Sequence, residues 1–167
     1  MTITLIGMPA VGKSCMGRQL SRKLKMRLID GDKLIEQVTE RKLQDIIDQD
    51  GLAAFKAIEE QVLLSIDEDN IIIAPGGSAV YYPSVMEHFK SKGIVVYLYA
   101  SPETIIERLG DFSKRGVALK PGQTINDLYL ERAPLLEKYA DVTVNCDGDA
   151  FPRYHAEAFE KISKFLK

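Results

Sequence analysis

The chain has 167 residues, 46% of them hydrophobic and 28% charged, which is enough to build one domain around an apolar core. A net charge of -2 excludes the overall basic excess expected of a nucleic-acid or anionic-membrane binder. No apolar run approaches the about 18 residues that a membrane span needs, and two cysteines without CxxC spacing, Cys15 and Cys146, exclude a disulfide framework or zinc site and fit a reducing cytoplasm.

Thr2 to Ile6 is apolar and β-prone, with no basic stretch ahead of it, so no signal peptide is expected. It runs into Gly7-Met8-Pro9-Ala10-Val11-Gly12-Lys13-Ser14, the glycine, four residues, glycine, lysine, serine spacing of a phosphate-binding loop. Gly7 and Gly12 let the backbone curl until several N–H groups face one anion. Lys13 brings a charge to the β- and γ-phosphates, and the Ser14 hydroxyl can ligate Mg²⁺. The helix that opens here turns its positive end toward the same phosphates. Gly7, Pro9, Ala10, Val11, Gly12, Lys13, Ser14 and Cys15 are therefore the expected nucleotide-binding stretch. The Cys15 thiol reads as a small buried hydrophobe in preference to an oxidation-sensitive group.

Met16, Leu20 and Leu24 recur at spacing four and predict a helix over 13–25. Arg27 to Asp30 reads as a short buried strand ending in Asp30-Gly31-Asp32. Carboxylates at a strand's carboxyl end, beside a phosphate loop, stand where open α/β sheets place ligands. One would order Mg²⁺ while the other takes a proton from a substrate hydroxyl; equally, Asp32 reads as the cap of a helix over 33–38. Helices follow over 45–50 and 51–67, the second with Phe55, Ile58, Val62 and Ile66 as an apolar stripe and Lys56 and Glu59 as an exposed pair.

Ile71 to Ala74 has the unbroken apolar pattern of a central parallel strand. It ends in Pro75-Gly76-Gly77-Ser78, either an ordinary turn or a place where a ligand approaches the backbone closely. A helix over 83–89 and a strand over 93–99 come next. Ser101-Pro102-Glu103 opens a helix that ends near Arg108-Leu109-Gly110. The segment 111–123 is rich in glycine and proline and, with Arg108, carries Lys114, Arg115 and Lys120, the make-up of a lid that closes over phosphates. A helix over 126–139 contains Pro134, which predicts a bend presenting Arg132. A strand over 141–144 and a helix over 152–166, apolar at Ala156, Phe159, Ile162 and Phe165 or Leu166, close the chain. His88 and His155 read as structural or exposed. Strands alternating with helices predict a three-layer α/β/α sandwich around a parallel sheet, one domain over 1–167.

Taken together, these residues resemble shikimate kinases, within the nucleoside-monophosphate-kinase-like phosphate-loop group. The resemblance spans essentially the whole chain. It rests on the phosphate loop, Asp30-x-Asp32, the helix region Ile46 to Glu59, Gly76-Gly77, the lid around Arg115, and Glu131-Arg132-Ala133-Pro134-Leu135 followed by Ala140-Asp141. It implies a five-stranded parallel sheet of order 2-3-1-4-5, a substrate-binding region near 31–60 and a lid near 110–123. It implies transfer of the ATP γ-phosphoryl group to the 3-hydroxyl of shikimate with Mg²⁺.

Position by position, the resemblance implies that Lys13 and Ser14 hold phosphate and Mg²⁺ and that Asp30 sits in the metal's outer shell. Asp32 binds substrate hydroxyls and is the base, Arg132 binds the substrate carboxylate, Arg115 reaches the phosphates from the lid, and Arg108 stacks on adenine. Lys56, Gly76, Gly77 and Ser78 complete the expected acceptor site. Three departures stand out. Lys56 replaces an arginine that grips the substrate carboxylate through a planar fork, a geometry lysine lacks. Ser78 replaces a third glycine, and Gly116 replaces a proline after the lid arginine.

Three functions follow in order: an ATP-dependent shikimate kinase, a kinase of the same build for another polyol or hydroxy acid, and a nucleotide-binding module without catalysis. The expected partners are small molecules alone, with no nucleic acid or membrane, and the expected state is a cytoplasmic monomer.

Overall fold

The computed structural model describes residues 1–110, 119–148 and 150–166. Five strands, β1 (Thr2–Gly7), β2 (Arg27–Asp30), β3 (Ile71–Ala74), β4 (Gly93–Tyr99) and β5 (Val142–Asn145), form a parallel sheet in the order β2-β3-β1-β4-β5. The helices around it are α1 (Lys13–Leu24), α2 (Gly31–Thr39), α3 (Leu43–Asp50), α4 (Leu52–Leu64), α5 (Pro83–Lys92), α6 (Pro102–Leu109), α7 (Ile125–Tyr139) and α8 (Phe151–Ser163), with a 3₁₀ turn over Ala79–Tyr81.

Residue pattern explains strand position. β1 and β3 are buried at every residue, as their unbroken apolar runs require of strands covered on both faces. β5 alternates buried and exposed residues and lies at an edge. Register then builds the site. Gly7 of β1 pairs with Leu98, and Asp30 of β2 pairs with Ala74 of β3. The phosphate loop, the Asp30–Asp32 turn and the Pro75–Ser78 turn therefore leave the sheet along one edge, at its carboxyl ends, where α/β folds bind ligands. In the middle of β1, the Thr4 hydroxyl is buried without a hydrogen-bond partner among the described residues.

Several boundaries differ from the sequence reading. The cap of α2 is Asp30, whose Oδ1 accepts from Lys33 N at 3.2 Å, so the helix starts two residues earlier than expected and Asp32 lies in its first turn. α4 stops at Leu64, where the Ser65 hydroxyl donates to Val62 O at 2.6 Å, and the polar stretch that follows turns at Asn70, at φ 58. α5 runs on to Lys92, and β5 starts at Val142 because Asp141 caps the sheet edge, its Oδ2 accepting from Val95 N at 2.8 Å.

α7 is capped by Thr124 and Asp127 and runs unbroken through Pro134. In α8 the buried side is Tyr154, Ala158 and Ile162; of the expected stripe Ile162 is buried, while Ala156, Phe165 and Leu166 are exposed. Phe159 instead lies under the Lys23 ammonium, 3.8 Å from its ring centre. Glu59 is buried, 1% exposed, while Lys56 is exposed, so they form no surface pair. The lid residues Lys114, Arg115 and Gly116 lie outside the described residues.

Candidate active site

The loop between β1 and α1 turns through Ala10, at φ 63, and Gly12, at φ 108, a conformation that favours glycine. Lys13 arches back over this loop. Its Nζ donates to the Gly7 and Met8 carbonyls, each at 2.9 Å. Burial, and then the Arg132 charge, push the Lys13 ammonium down to about 8, against the pull of Asp32 and Asp30. Ser14 is exposed. Cys15 is half-buried, its Sγ 3.9 Å from Nε2 of His155 on α8.

Across the cleft, Asp32 keeps an open face toward Lys13. Loss of surrounding water, and next the like charges of Asp30 and Glu59, push its carboxyl up to about 6, against Lys13. Solvent on the open face screens part of that shift. A carboxylate so raised is a better proton acceptor near neutral pH than an ordinary aspartate.

The third wall is the Pro75–Ser78 turn with α7. Arg132 is 4% exposed. Its Nε donates to the Tyr81 hydroxyl at 3.3 Å, its guanidinium lies 5.3 Å from the Tyr81 ring centre, and Tyr81 in turn donates to Glu131 at 3.0 Å. Arg132 forms no ion pair with a carboxylate among the described residues. A buried cation in that state is a ready partner for an anionic ligand. Gly77 leaves room for the guanidinium: a Cβ there would stand 2.6 Å from Arg132 Nη1, and that end of the side chain would have to shift.

Glu59 lies beside this wall, with Ser78 Oγ and Tyr82 OH donating to its Oε1 at 2.5 and 2.8 Å. Burial, and then the Glu59 charge, raise the Tyr82 phenol far above its usual range, so it stays a donor.

One cleft of about 720 Å³ gathers Pro9, Lys13, Ser14, Asp30, Asp32, Gly76, Gly77, Ser78 and Arg132. Lys56, expected there, is exposed and outside the lining. Helical geometry explains this, because Phe55 and Glu59, four apart on α4, take the cleft-facing side and turn their neighbour away. The sequence reading missed Glu36, Lys42, Leu43, Ile47, Phe55 and Glu59 as lining residues. The spacing of Phe55 and Glu59 was the available signal, since a carboxylate in register with an apolar stripe is out of place on a surface.

Arg108, expected to stack on adenine, donates to Val11 O at 3.3 Å, Cys146 O at 2.7 Å and Gly148 O at 2.6 Å. It thereby ties the phosphate loop to the chain after β5, with the Phe151 ring centre 5.7 Å from its guanidinium. Arg115 lies outside the described residues.

The site brings together a phosphate loop with its lysine, a carboxylate of raised proton affinity opposite, and a buried cation without an ion-pair partner among the described residues. The sequence model of the family described as shikimate kinase matches residues 9–167. A shikimate kinase of Paracidovorax citrulli is 35% identical over 150 residues, covering 87% of this chain and 82% of that protein. One of Francisella tularensis subsp. novicida is 34% identical over 168 residues, covering 98% and 93%. Among solved structures, shikimate kinase from Acinetobacter baumannii in complex with shikimate superposes with a TM-score of 0.87 at 29% identity, covering 99% of this chain and 95% of that one. Shikimate kinase from Aquifex aeolicus gives 0.83 at 28% identity, covering 99% and 96%. The strand order that the resemblance implies is the one observed, and these structures share the fold.

Proposed function

The chain belongs to the shikimate kinase family, and from that premise we propose that its cleft transfers the γ-phosphoryl group of ATP to the 3-hydroxyl of shikimate. The observation that carries this is one cleft holding Lys13, Asp32 and a buried Arg132 with no carboxylate partner among the described residues. Each element supplies one need of phosphoryl transfer, which is mainly positioning and charge neutralisation.

Among the described residues Lys13 is bonded only to its own loop carbonyls. An incoming nucleotide offers its ammonium stronger, anionic acceptors and lifts its depressed proton affinity. The loop N–H groups and the start of α1 hold the same phosphates. Arg132 takes the shikimate carboxylate, and Gly76 and Gly77 let the ring lie against the backbone. Asp32 then receives the proton of the attacking hydroxyl. From the sequence resemblance, Arg115 in the lid region adds a further positive charge and closure excludes water.

Ser14 and Asp30 suit Mg²⁺. Both are hard oxygen donors on the cleft, and among the described residues only Oδ1 of Asp30 is engaged, by Lys33 N. Among the described residues no group of three His, Cys, Asp or Glu could hold a metal alone, so nucleotide and water would have to supply the remaining ligands. When bound, the ion neutralises phosphate charge. Among the described residues no helix is long and apolar enough to cross a membrane. The two free cysteines support a cytoplasmic setting.

The test is coupled ADP release with shikimate and a panel of other hydroxy acids in magnesium buffer. Shikimate should be turned over best. ATP binding without turnover of shikimate would overturn the assignment.

A further inference from the structure

Arg132 is held in the cleft by a relay of polar groups that the phosphoryl-transfer chemistry does not touch. Its Nε donates to the Tyr81 hydroxyl at 3.3 Å, and Tyr81 donates to Oε1 of Glu131 at 3.0 Å. Oε2 of Glu131 accepts from Gln123 Nε2 at 2.8 Å, and Gln123 Oε1 accepts from Lys120 N at 3.1 Å. The Lys120 ammonium lies 3.7 Å from Glu131 Oε1. Tyr81 belongs to the 3₁₀ turn, Glu131 and Arg132 to α7, and Lys120 and Gln123 to the loop that leads into α7.

The protons of this relay have one consistent direction. An ionised carboxylate accepts and never donates. The Gln123 amide, and next the Tyr81 hydroxyl, hold the Glu131 carboxyl below its usual range, so it is ionised. Burial holds the Tyr81 phenol above its own usual range, so it keeps its proton and gives it to Glu131. The phenol oxygen then turns a lone pair to the Arg132 Nε–H, while its ring lies against the guanidinium, 5.3 Å from ring centre to carbon. With Nε occupied, Arg132 keeps its terminal amino groups for a ligand, and Nη1 is the one beside Gly77 of the cleft lining. A planar fork meets a carboxylate with two parallel bonds only when its orientation is fixed. Lys56 lies outside the cleft lining and shares none of that task.

Resting on the reading of Arg132 as the group that takes the shikimate carboxylate, we propose that Tyr81 and Glu131 are positioning residues: Glu131 fixes the hydroxyl proton of Tyr81, and Tyr81 fixes the guanidinium so that its terminal amino groups meet the acid. Simple charge predicts the opposite sign for Glu131. Removing an anion next to a carboxylate site should tighten acid binding. In the relay its removal frees the Tyr81 hydroxyl to turn away from Nε, and acid binding weakens.

The experiment is coupled ADP release with shikimate varied at saturating ATP, on wild type, Tyr81→Phe, Glu131→Ala, Glu131→Gln and the double variant Tyr81→Phe/Glu131→Ala. Phenylalanine keeps the ring and removes only the hydroxyl. Tyr81→Phe should raise KM for shikimate about fivefold to thirtyfold, and Glu131→Ala about threefold to tenfold. Glu131→Gln keeps an acceptor for the Tyr81 hydroxyl and should lose less than Glu131→Ala. The double variant should match Tyr81→Phe within about twofold, because Glu131 acts through that hydroxyl. KM for ATP should stay within about twofold of wild type throughout. Tm reports folding, and if Glu131→Ala does not fold, Tyr81→Phe decides. An unchanged or lower KM for shikimate in Tyr81→Phe or Glu131→Ala, losses that multiply in the double variant, or an equal rise in KM for ATP overturns the proposal while leaving the kinase assignment intact. ATP binding by wild type without shikimate turnover overturns both.

Discussion

Gly77→Ala tests the acceptor site most directly. Gly77 does not adopt a positive φ, so alanine suits its backbone and the change is purely steric. The added Cβ would stand 2.6 Å from Arg132 Nη1, whereas ordinary contact begins near 3.4 Å. The guanidinium must retreat by about 0.8 Å. Its Nε donates to Tyr81, so the retreat pulls against that contact and carries the guanidinium out of place in the cleft it lines. A charge-assisted hydrogen bond contributes about 1.5–3 kcal/mol. Losing one to the shikimate carboxylate should raise KM for shikimate about tenfold to a hundredfold. A substrate held about 1 Å out of place also loses kcat, by up to about a hundredfold. Steady-state ADP release with shikimate varied at saturating ATP gives both constants. KM for ATP should change by less than about twofold, because Lys13 and its loop are untouched. A Gly77→Ala enzyme with wild-type kcat/KM for shikimate would refute the placement of the carboxylate on Arg132.

Asp32→Asn should cut kcat by about a hundredfold or more with ATP affinity retained, and kcat/KM for wild type should fall as pH drops through about 6, where the raised Asp32 carboxylate takes up a proton; a flat profile down to pH 5 would count against it as the base. Arg132→Ala should raise KM for shikimate by at least about tenfold, while Lys56→Ala, outside the cleft lining, should raise it by less than about threefold; the reverse order would restore Lys56 to the carboxylate site. Removing Mg²⁺ with a chelator should abolish turnover and weaken nucleotide binding, both recovered on adding the metal back, if Ser14 and Asp30 hold the ion with the phosphates. Thr4→Val should raise Tm by a few degrees, since a buried hydroxyl without a partner costs about 1 kcal/mol or more; an unchanged or lower Tm would show that the hydroxyl is satisfied in solution.

Local rules wrote much of this protein into its sequence. The phosphate loop is a contiguous backbone device, so glycine spacing and one lysine suffice to announce it. The unbroken apolar runs of β1 and β3 carry their own central position, because only strands covered on both faces tolerate them. Alternation of strand and helix then restricts the sheet to a parallel one. What the sequence could not decide was which way side chains face once helices pack. Lys56 and Glu59 look alike as helix residues three apart, yet the packing of Phe55 turns Glu59 into the cleft and leaves Lys56 in solvent. Asp30 and Asp32 were interchangeable until hydrogen-bond geometry made one the cap and left the other open. The partners of Glu59 come from residues 19 and 23 positions away, and Arg132 meets Gly77 from a different helix. Such contacts depend on the sheet register that aligns three turns at one edge, and register is a property of the folded chain.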